Sequence, residues 1–192
     1  MILASKSPRR KEILNQLGFQ LEIKTKDIEE VSEKENVVDQ IKDISWKKVI
    51  AVAEENRDEY VVGADTVVEI DGIILGKPRT EEEAKNMLRS LSGRDHRVIT
   101  AYSIVNLAKN IDITNAVESR VYFKSISEEE IKWYVESREP MDKAGAYGIQ
   151  GLGSIFVDKI DGDFFAIMGF PINHFIKTLN NLGITIESLN KI

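Results

Sequence analysis

ILASKSPRRKEIL, from Ile2 to Leu14, runs from an apolar stretch into a basic one, and its reading sets the start of the fold. Met1 to Ser5 reads as a short buried strand. Ser7 then offers its side-chain oxygen as a helix N-cap. Pro8 falls at the first helical position, where its missing N–H costs nothing. Ile13, Leu14 and Leu17 supply an apolar stripe, and Gly18 can end the helix. SPRR is therefore the first turn of a helix that follows a strand, and not a loose tail.

Outward from this unit, strands and helices alternate. FQLEIK (Phe19 to Lys24) has strand alternation, and the acidic stretch from Asp27 to Glu35 is a loop. Val37, Val38, Ile41, Ile44, Val52 and Ala53 recur at helical spacing, which predicts a long helix from Asn36 to about Asn56. YVVGADTVVEI and IIL form a hairpin across Asp71-Gly72. Thr80 with Glu83 makes a capping box that opens a helix to about Leu91. HRVITAYSIVNLA is a long strand, and a weaker one follows near Ala116 to Phe123. Ser127 with Glu130 is a second capping box, opening a helix that stops before Pro140. The glycine-rich loop KAGAYGIQGLG comes next. SIFVDKI and DFFAIMG are expected to pair across Asp161-Gly162, and Pro171 begins a last helix to about Leu182. The tail is short and weakly patterned. Hairpins mixed with helices imply an α/β fold with a mixed sheet.

Composition narrows the chemistry. The 192 residues suit one α/β domain, or one domain with two lobes, and need no covalent staple. Cysteine is absent, which excludes disulfides, thiolate nucleophiles and cysteine-ligated zinc. His96 and His174 are the two histidines, too few for a histidine-rich metal cage. They read as ordinary surface or core residues, and Trp46 and Trp133 as packing. MILA is too short for a signal peptide and basic residues follow it, so a cytoplasmic location is expected, with no membrane association. The formal net charge is −6, which argues against nucleic-acid binding despite the local basic cluster.

Three segments can carry chemistry. At Ser5 to Arg10, helix-terminal N–H groups and arginine forks suit a phosphate, although the same residues also suit a solvated first turn. In Gly63-Ala64-Asp65-Thr66, a carboxylate after buried strand residues must be paired, hydrogen-bonded or metal-bound. Asp65 can ligate a hard cation, take a proton from an attacking water, or simply close a turn. In EPMDKAGAYGIQGLG, Gly145, Gly148, Gly151 and Gly153 allow tight turns and close ligand approach. Lys143 adds charge, and the Gln150 amide can read a base edge. A plain surface loop is the alternative. Gly76-Lys77-Pro78 places a lysine in a turn and alone decides nothing.

ILASKSPRRKEIL, GADTVV, LGKP, LSGRDHRVITA and EPMDKAGAYGIQG, in this order and spacing, closely resemble the Maf family, named for a septum-formation inhibitor. The likeness runs from Ile2 to about Leu179. It implies a fold like that of the inosine triphosphatases, a mixed twisted sheet in two α/β lobes around a nucleotide cleft, with residues 1–192 as one such domain. It implies a pyrophosphatase that splits nucleoside triphosphates into monophosphate and pyrophosphate with a divalent cation, Mg²⁺ or alternatively Mn²⁺. By the same resemblance Asp65 looks like the proton acceptor that activates water, with Glu30, Lys48 and Lys77 as further catalytic residues. Glu30 and Asp65 would hold the metal. Arg9, Thr66 and Gln150 match positions of substrate choice in the branch acting on dTTP and UTP, and the intact EPMDKAGAYGIQG loop looks like that branch and not the one acting on 7-methyl-GTP. Ser7, Arg10 and Lys143 would contact phosphate or nucleotide. The expected partner is a small-molecule nucleoside triphosphate, with modified pyrimidine nucleotides as a further class and a homodimer as the family's assembly. Two competing readings are a nucleotide-binding regulator of cell division with incidental hydrolysis, and a nucleic-acid binder acting through SKSPRRK.

Overall fold

The computed structural model describes residues 1–185, 187 and 188, so part of the tail lies outside the described residues. The chain runs β1 (Ile2–Leu3), α1 (Pro8–Gln16), β2 (Glu22–Ile23), α2 (Val37–Ala53), β3 (Val61–Ile70), β4 (Ile73–Leu75) and α3 (Glu81–Leu91). It continues through β5 (Asp95–Asn106), β6 (Ile111–Phe123), α4 (Glu128–Glu136), β7 (Val157–Asp161), α5 (Phe164–Met168) and α6 (Ile172–Asn181). Three short 3₁₀ turns, Glu139–Asp142, Ala144–Ala146 and Gly151–Phe156, fill the stretch between α4 and β7. The strands form one seven-stranded sheet in the order β2-β1-β3-β5-β6-β7, with β4 on β3. β1 is parallel to β2 and β3, whereas β3–β4 and β6–β7 are antiparallel. The fold is mixed α/β, as the pattern of hairpins and helices implies.

Two compact units divide the chain. One comprises Met1–Asp65, Thr100–Val117 and the stretch from Gly169; the other comprises Thr66–Ile99 and Glu118–Met168. In the first, Ile2, Ala4 and Val61 pack with Val49, Val52 and Ala53 of α2. Gly63 sets how close that helix can come, because a Cβ there would lie 2.7 Å from Val49 Cγ2 and 3.4 Å from the Ala4 carbonyl oxygen. Buried Tyr102 bonds through its hydroxyl to buried Thr178 Oγ1 and to Nδ1 of the exposed His174, each at 2.7 Å, so His174 is a surface residue tied to the core. In the second unit, Val68, Ile70, Leu88, Leu91, Val121, Phe123, Tyr134 and Phe156 form the core. His96 is buried there, its Nε2 2.7 Å from the Tyr147 hydroxyl and its ring edge-on to Phe123.

Local chemistry explains most element ends. Asn36 Oδ1 accepts the Val38 N–H at the start of α2, and Ser127 with Glu130 forms a complete capping box on α4. The box at α3 is only half made: Thr80 Oγ1 accepts the Glu83 N–H, but the Glu83 carboxylate accepts from Arg79 N instead of Thr80 N. Ser7 adopts an extended N-cap backbone without a side-chain cap bond. The strand expected over Phe19 to Lys24 shrinks to two residues, and the one expected from Ala116 begins at Ile111. Trp133 is not core packing, since it is exposed on α4.

The expected hairpin across Asp161-Gly162 is wrong. β7 pairs with β6, and DFFAIMG is helical from Phe164 to Met168. Asp163 Oδ1 accepts the N–H groups of Phe165 and Ala166, an N-cap that overrides the strand preference of the phenylalanines. Ser119 Oγ fixes that cap by accepting the Asp163 N–H and donating to its carbonyl.

Two expectations follow for stability. Gly63→Ala forces α2 off the sheet and should cost about 2 kcal/mol in urea unfolding, with Val49→Ala in the same chain restoring part of the loss. An additive double variant would show that Val49 is not the clash. For His96, burial lowers the imidazole pKa to about 4, slightly opposed by Asp95, against about 6.5 when unfolded. A lowered histidine contributes stability that is complete above pH 6.5 and lost as pH falls toward 4. Over that window His96→Gln should flatten the stability–pH slope by up to about 1.4 kcal/mol per pH unit, and an unchanged slope would refute the assignment.

Candidate active site

The turn between β1 and α1 is organised by Ser5. This buried hydroxyl oxygen accepts the Ser7 N–H at 3.2 Å and an Arg10 Nη1 hydrogen at 3.1 Å. Arg10 Nε donates to the Gly169 carbonyl at 2.9 Å, so its guanidinium is fixed from two sides. Burial lowers the Arg10 pKa, Asp65 opposes the shift, Arg9 reinforces it and Glu30 opposes it. A guanidinium stays charged through such a shift. Arg9, Arg10, Glu30 and Asp65 thus belong to one electrostatic group.

Lys48 joins the acidic members of that group. Its Nζ lies 2.7 Å from Asp65 Oδ1 and 2.9 Å from Glu30 Oε2. The Lys48 and Asp65 side chains are 17% and 16% exposed while Glu30 is 60% exposed, so the Lys48–Asp65 pair is the desolvated one. Asp65 needs that partner because β3 is buried on either side of Asp65-Thr66, and an unpaired carboxylate there is costly. The adjacent Lys47 points elsewhere: its Nζ donates to the Val31 carbonyl and pairs with Asp43, each at 2.8 Å. The helical register therefore selects Lys48, one residue before the Val49 that rests on Gly63.

Candidates in the second unit have other surroundings. Thr66 follows Asp65 on β3 and is partly exposed. Lys77 is exposed in the turn after β4, and the neighbouring Gly76 carbonyl accepts the Gly145 N–H at 3.1 Å. Lys143 Nζ donates to the Glu139 carbonyl and to Asp142 Oδ1, both at 2.6 Å, so its ammonium braces its own loop. Gln150 is exposed. Glu139 Oε1 accepts from the Tyr134 hydroxyl and Gly153 N, and Oε2 from Leu152 N, all at 3.0 Å. Burial pushes the Glu139 pKa up, but the two N–H groups, the Tyr134 hydroxyl and Lys143 outweigh it and hold the carboxyl below its ordinary value. The glycine loop thus directs two of its amides at an internal carboxylate.

Ser5, Gly63 and Glu139 are the organising residues that the motifs left without a role. The sequence did carry one signal for Glu139: an acidic residue beside Pro140, just ahead of a glycine-rich stretch that can wrap an anion. Ser5 acts through Arg10, whose second partner is the distant Gly169 carbonyl, and Gly63 acts through Val49 of α2, and no local pattern reveals either link.

Among the described residues no group of three or more His, Asp or Glu side chains is arranged to hold a metal. Glu30 and Asp65 offer two carboxylates within reach of one point, the Lys48 nitrogen. Two carboxylates are what magnesium takes from a protein, with phosphate oxygens and water completing its shell, but since the point they share is filled by the Lys48 ammonium, the ion would be held by their other oxygens. Among the described residues no helix is long and apolar enough to cross a membrane.

The family model described as Maf-like protein matches residues 1–182. A protein of Fusobacterium nucleatum subsp. nucleatum named dTTP/UTP pyrophosphatase is 52% identical over 192 residues, the whole of both chains. Proteins of that name from Clostridioides difficile and Bacillus cereus (strain AH820) are each 45% identical, over 90% and 97% of both chains respectively. The solved Ham1 protein of Staphylococcus aureus is a remote likeness, with a TM-score of 0.49 and 12% identity over 64% of this chain and 70% of that one. On the family match and the full-length relatives, the chain belongs to the Maf-like family.

Proposed function

We propose that the chain is a nucleoside triphosphate pyrophosphatase that hydrolyses dTTP and UTP to the monophosphate and pyrophosphate. The observation that carries this reading is the desolvated Asp65 carboxylate held by Lys48 beside Glu30 and Arg10, in a chain whose full-length relatives bear that name. Water attacks the α-phosphorus, Asp65 accepts the water's proton, and the bond from that phosphorus to the oxygen bridging the β-phosphorus breaks. Pyrophosphate leaves with the bonding electrons. Lys48 orients the Asp65 carboxylate, and the arginines of α1 oppose the negative charge that builds on the phosphates.

Glu30 and Asp65 would hold a divalent cation, Mg²⁺ by preference and Mn²⁺ as the alternative. When bound, that ion neutralises phosphate charge. Ser7, Arg10, Lys77 and Lys143 are assigned to phosphate or nucleotide contacts. Arg9, Thr66 and Gln150 are assigned to substrate choice, with modified pyrimidine nucleotides as a further substrate class. A cytoplasmic location, a homodimeric assembly and the absence of nucleic-acid binding complete the proposal. Net charge −6 supports the last, because outside the one small turn at the start of α1 the basic residues are scattered among a larger number of acidic ones.

Incubation with a nucleotide panel and Mg²⁺ should release pyrophosphate from dTTP and UTP, and Asp65→Asn should reduce kcat by about 10³-fold. Orthophosphate as the primary product, or tight binding without turnover, would contradict the mechanism. Lys48→Met should lower kcat about 100-fold, while Lys48→Met with Asp65→Asn should be little worse than Asp65→Asn alone, because the two residues act as a unit. Multiplicative losses would separate Lys48 from Asp65.

A further inference from the structure

We infer that Glu139, through Tyr134 and the amides of Leu152 and Gly153, is the positioning residue that shapes the Gln150 loop for base discrimination. This rests on the proposed role of Gln150 in substrate choice. Glu139 touches no reacting group and acts through the loop.

The loop is built around that carboxylate. Its two oxygens accept from the backbone on the C-terminal side of Gln150, at Leu152 and Gly153. On the N-terminal side, the Tyr134 hydroxyl accepts the Gly148 N–H at 3.1 Å and donates its own hydrogen to Glu139 Oε1. Gln150 therefore sits on a short arch whose two feet are tied to one acid–phenol pair. Three glycines make the closure possible. A Cβ at Gly151, where φ is +74°, would lie 2.7 Å from Glu139 Oε2. At Gly153 it would lie 2.6 Å from the Tyr134 hydroxyl oxygen, and at Gly148 2.8 Å from the Gln150 carbonyl. Larger residues would push the arch off its support.

A charged acceptor is needed because two amide donors and a phenol converge on it. Hydrogen bonds to a carboxylate are stronger than those to a neutral oxygen. A glutamine at 139 keeps the size but sets an NH₂ donor against one of the amides. An arch that slackens by a fraction of an ångström lets the Gln150 amide pair with the wrong base edge. Selectivity built on hydrogen bonds is sensitive to such displacement.

The test compares wild type, Glu139→Gln and Tyr134→Phe, measuring kcat and KM for UTP and CTP together with amide hydrogen exchange at Gly148, Leu152 and Gly153. For Glu139→Gln the UTP-over-CTP ratio of kcat/KM should fall about tenfold, mostly through a higher KM for UTP, with faster exchange at Leu152 and Gly153. Tyr134→Phe should give a smaller loss, with faster exchange centred on Gly148. A ratio within about twofold of wild type in both variants, or unchanged exchange at the three amides, would overturn the inference. A catalytic role for Glu139 would instead appear as an equal kcat loss on both nucleotides. Wild type that releases no pyrophosphate from any nucleotide would refute the parent reading, while the exchange data would still decide whether Glu139 holds the arch.

Discussion

The ammonium of Lys48 between Asp65 and Glu30 is the interaction on which the rest of the site depends. β3 is buried on both sides of the Asp65-Thr66 pair, so the carboxylate can sit there only with a cation at hand. That cation comes from α2, and α2 can deliver it only by lying close to the strand. Gly63 grants the closeness, since Val49 occupies the space a side chain would fill. A glycine two residues before the carboxylate and a valine one residue after the lysine thus fix the pair from both elements. The packing of the first unit and the chemistry proposed for it have the same cause.

Anions are handled in two ways in this acidic chain. At the start of α1, Arg9 and Arg10 concentrate positive charge, and Arg10 feels the opposing charges of Asp65 and Glu30. In the glycine-rich loop the anion is the protein's own, the Glu139 carboxylate, and the amides of Leu152 and Gly153 are spent on it. A glycine-rich run invites the interpretation that its own amides cradle phosphate, but those amides are turned inward, and the phosphate or nucleotide contact proposed for Lys143 would come from its side chain. Here Lys143 braces the loop through the Glu139 carbonyl and Asp142, and the glycines give clearance to a carboxylate and a phenol.

Most of the fold was legible because its signals are local. Asn36 and Ser127 cap the helices they precede, Asp71-Gly72 turns the β3–β4 hairpin, and Ile41, Val52 and Ala53 of the apolar spacing in α2 lie on its buried face, to which the structure adds Ser45 and Val49. The misreadings arose where a side chain overrode propensity. Asp163 turned a strand-like FFAIM into a helix, and the Glu83 carboxylate bonded one residue before the expected amide. For the site, motif likeness singled out Glu30, Lys48 and Asp65, which the structure brings onto one nitrogen. What no motif could give was support from far along the chain: Gly169 for Arg10, Val49 for Gly63, and Leu152 and Gly153 for Glu139.

A carboxylate-activated water that attacks the α-phosphorus has one signature that product identity alone lacks. Attack at the β-phosphorus would also yield monophosphate and pyrophosphate, but with the new oxygen on the other product. Turnover of UTP in oxygen-18-labelled water, followed by mass spectrometry of both products, separates the two. Label in the monophosphate, lost together with activity in Asp65→Asn, is the expected result. Label in the pyrophosphate would contradict water activation at the α-phosphorus and with it the role given to Asp65.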